Sequence, residues 1–139
     1  MRLFLDANIL FSAAHTPARG ARELFALSNA GQCELISSQH AIFEAQRNLR
    51  LKSPIRSESF GQLLEAIHRV PDADPGLVAW AALLGLPGND APILAAAVAA
   101  RFDLLVTGDR KHFGHLYGMV IGPVRVVTLA KALETVVDS

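Results

Sequence analysis

A chain of 139 residues with 51% apolar side chains can bury a core of its own, so it needs no disulfide or metal to fold and reads as one domain over residues 1–139. Its single cysteine, Cys33, excludes an intrachain disulfide and suits a reducing compartment, where it reads as a small buried hydrophobe. Thirteen basic and thirteen acidic side chains cancel, which taken alone argues against a strongly basic nucleic-acid binder.

Arg2-Leu3-Phe4-Leu5 reads as a short strand buried on both faces, the habit of a central parallel strand. It ends on Asp6-Ala7-Asn8, after which Ile9-Leu10-Phe11 resumes the apolar pattern. His15 to Gly20 is turn-like. A helix follows over about Ala18 to Ala30, with Ala21, Leu24, Phe25 and Leu27 on one stripe and Asn29-Ala30-Gly31 as its stop. Glu34-Leu35-Ile36 is a second strand. Ser37-Ser38 caps a helix over about Gln39 to Leu51, whose stripe is Ala41, Ile42, Ala45 and Leu49, with Glu44 on its flank. Lys52-Ser53-Pro54 breaks the chain. The next helix is predicted over about Ser57 to Arg69, with Phe60, Leu63, Leu64 and Ile67 inward, and Val70-Pro71 as a brief edge strand. Helices over about Gly76 to Leu84 and Ala91 to Arg101 are joined by a loop that delivers Asn89-Asp90. Asp103-Leu104-Leu105-Val106 is the clearest strand after the first and ends on Thr107-Gly108-Asp109. A polar loop with His112 and His115 leads to a last strand, Val124 to Thr128, and a closing helix, Leu129 to Val137. This alternation predicts an α/β fold, a three-layer α/β/α sandwich with a mostly parallel sheet of about five strands. There is no signal-peptide h-region, and the apolar run Ala91 to Ala100 is too short to span a bilayer, so the expected setting is cytoplasmic with no membrane partner.

In such a sheet the strand C-termini share one edge, where ligands bind. Asp6 and Asp109 each lie just past an apolar strand, Asp90 opens the helix that leads to the strand of Asp109, and Glu44 sits early on the helix after the second strand. Four acids from remote segments are thereby expected to converge. Two like charges about 4 Å apart repel by about 4 kcal/mol at an effective dielectric near 20, and a divalent cation removes that penalty. Oxygen ligands suit Mg²⁺ or Mn²⁺, and the sequence shows no His or Cys cluster for a softer metal. One or two such ions suit phosphodiester hydrolysis, by lowering the pKa of the attacking water and stabilising the leaving oxygen. Setting the four acids aside leaves 13 basic side chains against 9 of the 13 acidic ones, a mildly basic remainder. Each acid also has a structural reading: turn residue for Asp6 and Asp109, helix N-terminal acid for Asp90, solvated helix face for Glu44. Asp72, Asp74 and Asp103 sit in turns and are assigned no chemistry. Trp80 and Phe60 read as core or interface residues.

The segments Leu5-Asp6-Ala7-Asn8-Ile9-Leu10, Phe43-Glu44-Ala45-Gln46-Arg47-Asn48-Leu49, Asn89-Asp90-Ala91-Pro92-Ile93-Leu94-Ala95-Ala96-Ala97 and Leu105-Val106-Thr107-Gly108-Asp109 together resemble the four signature segments of PIN-domain ribonucleases, in family order. The resemblance implies a metal-dependent endoribonuclease directed at single-stranded RNA, leaving 5′-phosphate and 3′-hydroxyl ends. Many bacterial members are VapC-type toxins paired with an antitoxin protein, and relatives are often homodimers. It implies Asp6, Glu44, Asp90 and Asp109 as the acidic quartet holding Mg²⁺ or Mn²⁺, with Asn8 and Thr107 as supporting polar groups. Arg110 and Lys111, beside Asp109, are the basic residues best placed to contact RNA phosphate. Arg47 belongs to a basic set with Arg19, Arg22, Arg50, Lys52 and Arg56 that lines a groove or faces solvent. His112 and His115 have helix-like spacing, but no Cys or third ligand accompanies them, which argues against zinc. The neutral net charge and Pro92, just inside the helix after Asp90, depart from the family pattern, although Pro is tolerated in a first turn. The alternative function is a PIN-like module that binds RNA or protein without catalysis. A receiver-like phosphoacceptor is disfavoured, because it lacks the paired acids expected near the first strand.

Overall fold

In the computed structural model, which describes residues 1–16 and 20–139, the first strand lies inside the sheet with a parallel neighbour on each side. β1 (Arg2–Leu5) buries Leu3, Phe4 and Leu5 completely, as a strand covered on both faces must. β2 (Glu34–Ser38) pairs along one side of it, with Leu35 opposite Leu3, and β4 (Leu104–Val106) along the other, with Leu104 opposite Leu3. β3 (Ile67–Val70) adds to β2, and β6 (Val124–Val127) adds to β4, both parallel. β5 (Val120–Ile121) closes the far edge as an antiparallel partner of β6. The order β3-β2-β1-β4-β6-β5 therefore reverses direction between β1 and β4. In an open α/β sheet that reversal opens a crevice at the strand C-termini, and it lies here between Asp6 and Thr107.

Helices flank the sheet: α1 (Ala7–His15), α2 (Ala21–Asn29), α3 (Gln39–Lys52), α4 (Pro54–Leu64), α5 (Pro75–Ala82), α6 (Ala91–Ala99), α7 (Arg110–Phe113) and α8 (Leu129–Asp138). Their starts follow from side-chain caps. Ser38 accepts the Ala41 N–H at 3.2 Å, Asp74 accepts the Leu77 N–H at 3.1 Å, and Thr128 accepts the Lys131 N–H at 3.1 Å. The acids assigned no chemistry are used to hold backbone N–H groups. Besides Asp74, Asp72 accepts the His40 N–H at 2.9 Å and Asp103 accepts the Arg2 N–H at 2.8 Å. Cys33 and Phe60 are buried as expected, whereas Trp80 is 39% exposed. No helix among the described residues is long and apolar enough to cross a membrane.

Four sequence expectations are corrected. The sheet has six strands rather than five, because the stretch taken as a polar loop also holds β5, joined to β6 by a tight turn in which Gly122 adopts φ +59°. The same stretch holds the short helix α7. The resumed apolar pattern of Ile9-Leu10-Phe11 is helical: together with His15, expected in a turn, it belongs to α1, where Ile9, Leu10, Ala13 and Ala14 are buried. The helix expected over Ser57 to Arg69 starts at Pro54 and ends at Leu64, and Ile67 to Val70 pair with β2 instead. Pro54 starts that helix because a first-turn residue has no intrahelical use for its N–H. Ile67 satisfies a helical stripe and a strand alternation equally, and the open edge of β2 decides between them. The expected helix start at Ala18, and Arg19 with it, lie outside the described residues; within them α2 begins at Ala21.

Candidate metal centre

Asp6 is the residue at which β1 stops and α1 starts. Its own N–H continues the ladder to the Val106 carbonyl at 3.0 Å, while its side chain turns inward and is 3% exposed. Three donors converge on that carboxylate: the Ala7 N–H at 2.6 Å, the Thr107 hydroxyl at 2.7 Å and the Asn8 amide at 3.3 Å. Thr107 joins the two sides of the crevice. Besides donating to Asp6, its Oγ1 accepts the Asp109 N–H at 3.2 Å, and Tyr117 donates to its carbonyl at 3.0 Å. Asn8 completes the link by accepting the Gly108 N–H at 2.9 Å. Asn8 and Thr107 thus hold Asp6 and the Asp109 loop in register, as charge-assisted bonds to a buried carboxylate do.

Asp6, Glu44, Asp90 and Asp109 line one cavity of about 250 Å³, together with Ala7, Asn8, Phe11, Asn48 and Lys52. The four sequence-predicted acids are therefore brought together. They are not equivalent. Asp90 begins α6 but makes no side-chain cap bond to it, so its carboxylate is available to the cavity. Asp109 caps α7 with Oδ1, accepting the His112 N–H at 3.1 Å, and its Oδ2 lies 2.8 Å from His112 Nδ1. Glu44 makes no hydrogen bond or ion pair among the described residues. Asp90, Asp109 and His112 offer ligand atoms within 4.8 Å of one another, a tighter group that Asp6 and Glu44 do not join. Arg110 and Lys111 are exposed beside Asp109, and Arg47 lies with Glu44 along a neighbouring cleft.

Burial and mutual repulsion raise Asp6, Asp90 and Glu44. Desolvation pushes Asp6 up to about 7, with the charges of Asp90 and Glu44 adding and the Thr107 and Ala7 bonds opposing. Burial also raises Asp90, against the pull of His112, and raises Glu44, against the pull of His40. Carboxylates raised together in one cavity mark a place where a bound cation would lower the cost of their charge. The donor set, four carboxylates with an imidazole beside two of them, fits a hard divalent ion. Sequence reasoning missed His112 as a neighbour of this cluster, and missed Asn48 and Phe11 in the wall. Asn48 lies four residues after Glu44, a same-face spacing that marks it.

Thr107→Val tests the link across the crevice. The variant is expected to lose about 2 kcal/mol at pH 8, where the hydroxyl serves a charged Asp6, and less at pH 5, where Asp6 holds its proton. Urea unfolding at the two pH values checks it, and an equal loss at both contradicts the geometry.

The family model described as PIN domain matches residues 2–111. No curated protein sequence matches the chain closely enough to count as a relative. Among solved structures, the VapBC2 complex of Rickettsia felis, bound to a DNA fragment from its promoter, is similar with TM-score 0.70 and 17% identity over 92% of this chain and 98% of that one. A Pyrobaculum aerophilum protein is similar with TM-score 0.72 and 18% identity over 100% of this chain and 97% of that one. VapC20 of Mycobacterium tuberculosis, a toxin that cleaves the sarcin-ricin loop, is similar with TM-score 0.59 and 15% identity over 78% of this chain and 91% of that one. At these identities the structures speak for the fold, and the family model for the lineage: the chain belongs to the PIN-domain family, a family of nucleases.

Proposed function

We propose that this protein is a Mg²⁺- or Mn²⁺-dependent endoribonuclease acting on single-stranded RNA, and the toxin of a toxin–antitoxin pair. The observation that carries the reading is the convergence of Asp6, Glu44, Asp90 and Asp109, from four remote segments, on one cavity at the reversal point of the sheet. The similar VapBC2 complex named above supports an antitoxin protein as partner. Trp80 and Leu83, 39% and 84% exposed at the end of α5, make an apolar patch suited to a homodimer contact. The cellular setting that goes with these partners is the cytoplasm.

In this mechanism Asp90 and Asp109 would hold the ion, with Asp6 and Glu44 contributing from the other walls of the cavity. When bound, such an ion would activate the attacking water and stabilise charge on the leaving oxygen. Thr107 and Asn8 keep Asp6 from turning away from the cavity. Glu44 has no protein partner fixing it among the described residues, so it is free to orient the attacking water. Arg110, Lys111 and Arg47, all exposed around the rim, contact the phosphates that flank the scissile bond. Hydrolysis leaves a 5′-phosphate and a 3′-hydroxyl.

End-labelled single-stranded RNA incubated with the purified chain tests the reading. Cleavage is expected with Mn²⁺ or Mg²⁺, is expected to stop in EDTA, and is expected to return when the metal is restored. Cleavage that persists in EDTA overturns the metal mechanism. RNA binding with neither cleavage nor Mn²⁺ binding favours a non-catalytic module on the same fold.

A further inference from the structure

The cap that starts α7 does more than start a helix. By accepting the His112 N–H, Asp109 draws the His112 side chain back over its own carboxylate. Nδ1 of His112 then lies 2.8 Å from Asp109 Oδ2 and 2.9 Å from Asp90 Oδ2. The side chain as a whole is 37% exposed, yet Nδ1 itself is shut off from solvent. Both oxygens are close, but neither lies in the direction of a hydrogen bond, and Nδ1 is left without a hydrogen-bond partner. A buried polar atom in that condition needs an explanation, and service as a metal ligand is one of the few available. Neighbouring ligands on an octahedral ion with bonds of about 2.1 Å stand about 3 Å apart. That is the spacing of both nitrogen–oxygen pairs here.

We infer that His112 is a nitrogen ligand of the metal centre, its Nδ1 completing a set with one oxygen each from Asp90 and Asp109, and that it shifts the centre's preference from Mg²⁺ toward first-row transition ions. The inference rests on the metal-centre reading above and goes further, because the acids alone make an oxygen-only site. Such a site suits Mg²⁺, whereas an imidazole nitrogen favours transition ions.

Electron spin-echo envelope modulation of Mn²⁺ bound to the EDTA-stripped full chain gives a readout independent of catalysis. Wild type is expected to show ¹⁴N modulation from a coordinated imidazole, and H112A is expected to lose it. Isothermal titration is expected to show Mn²⁺ binding weakened about tenfold or more in H112A, while Mg²⁺ binding changes by less than about twofold. Mn²⁺ that binds wild type without nitrogen coupling, and equally well to H112A, overturns the role of His112 and leaves the carboxylate centre standing. A nitrogen signal that survives in H112A belongs to another imidazole, such as His40 beside Asn89, and overturns it as well. Mn²⁺ that does not bind at all overturns centre and ligand together. The wild-type spectrum needs no variant, and H112Q serves as the second substitution if H112A does not fold.

Discussion

Asp6→Asn is expected to lose roughly a thousandfold in RNA cleavage, equivalent to about 4 kcal/mol of transition-state stabilisation, while the metal-free protein becomes more stable at pH 8. The two effects have one cause. Burial raises Asp6 from an ordinary 3.8 to about 7, and Asp90 and Glu44 add to the rise. Keeping that carboxylate ionised therefore costs the folded chain up to about 4 kcal/mol. Asparagine removes the charge and the cost. Against this, Ala7, Thr107 and Asn8 all donate to Asp6, and an amide presents them with one acceptor fewer. That loss is about 1–3 kcal/mol, so a net gain of about 1–3 kcal/mol is expected in EDTA at pH 8. Urea melts in EDTA and a gel assay with Mn²⁺ read the two effects separately. Undiminished cleavage in the variant removes Asp6 from the chemistry. A variant less stable than wild type in EDTA shows that its hydrogen bonds outweigh its burial.

The legible parts of this site are those whose signal is local. Asp6 and Asp109 show in the sequence because a carboxylate ends an uninterrupted apolar strand, and in a parallel sheet two such ends share an edge. Asp90 shows because a short loop precedes a long apolar helix that must run back to the next strand. The structure adds that Asp90 does no capping work, so the helix-terminus reading of that residue does not explain it. Glu44 is half legible: its helix is clear, but the side toward the cavity depends on how α3 packs. α1 is hidden by its own composition, since Ile9-Leu10-Phe11 suits a strand as well as a helix, and only the cap by Asp6 resolves it. β3 is hidden because Ile67 extends the stripe of the preceding helix, and pairing with β2 is a non-local event. His112 is the least legible. Its spacing to His115 invites a comparison between histidines, whereas its contacts are to Asp109 on its own cap and to Asp90 from another segment.

The chelated wild-type protein is expected to lose stability as pH rises from 5 to 8, and saturating Mn²⁺ is expected to reverse that trend. An acid whose folded pKa is raised keeps a proton that the unfolded chain has already released. Its contribution is fully present below about 3.8 and is lost as pH climbs through about 7. Asp6 alone accounts for up to about 4 kcal/mol between 3.8 and about 7, of which about 3 kcal/mol falls above pH 5. Asp90 and Glu44, raised by the same burial, act in the same direction. An ion bound only by the folded state adds about 2.7 kcal/mol at a concentration 100 times its Kd. It also competes with protons for these oxygens, so its contribution grows over the pH range in which the metal-free protein weakens. Urea midpoints at pH 5, 6, 7 and 8, in EDTA and in Mn²⁺, are expected to diverge as pH rises. Asp6→Asn should flatten the EDTA curve, because it removes the largest titrating cost. A metal-free protein that grows steadily more stable toward pH 8 shows instead that the four carboxylates do not crowd one another, and the physical case for a cation among them goes with it.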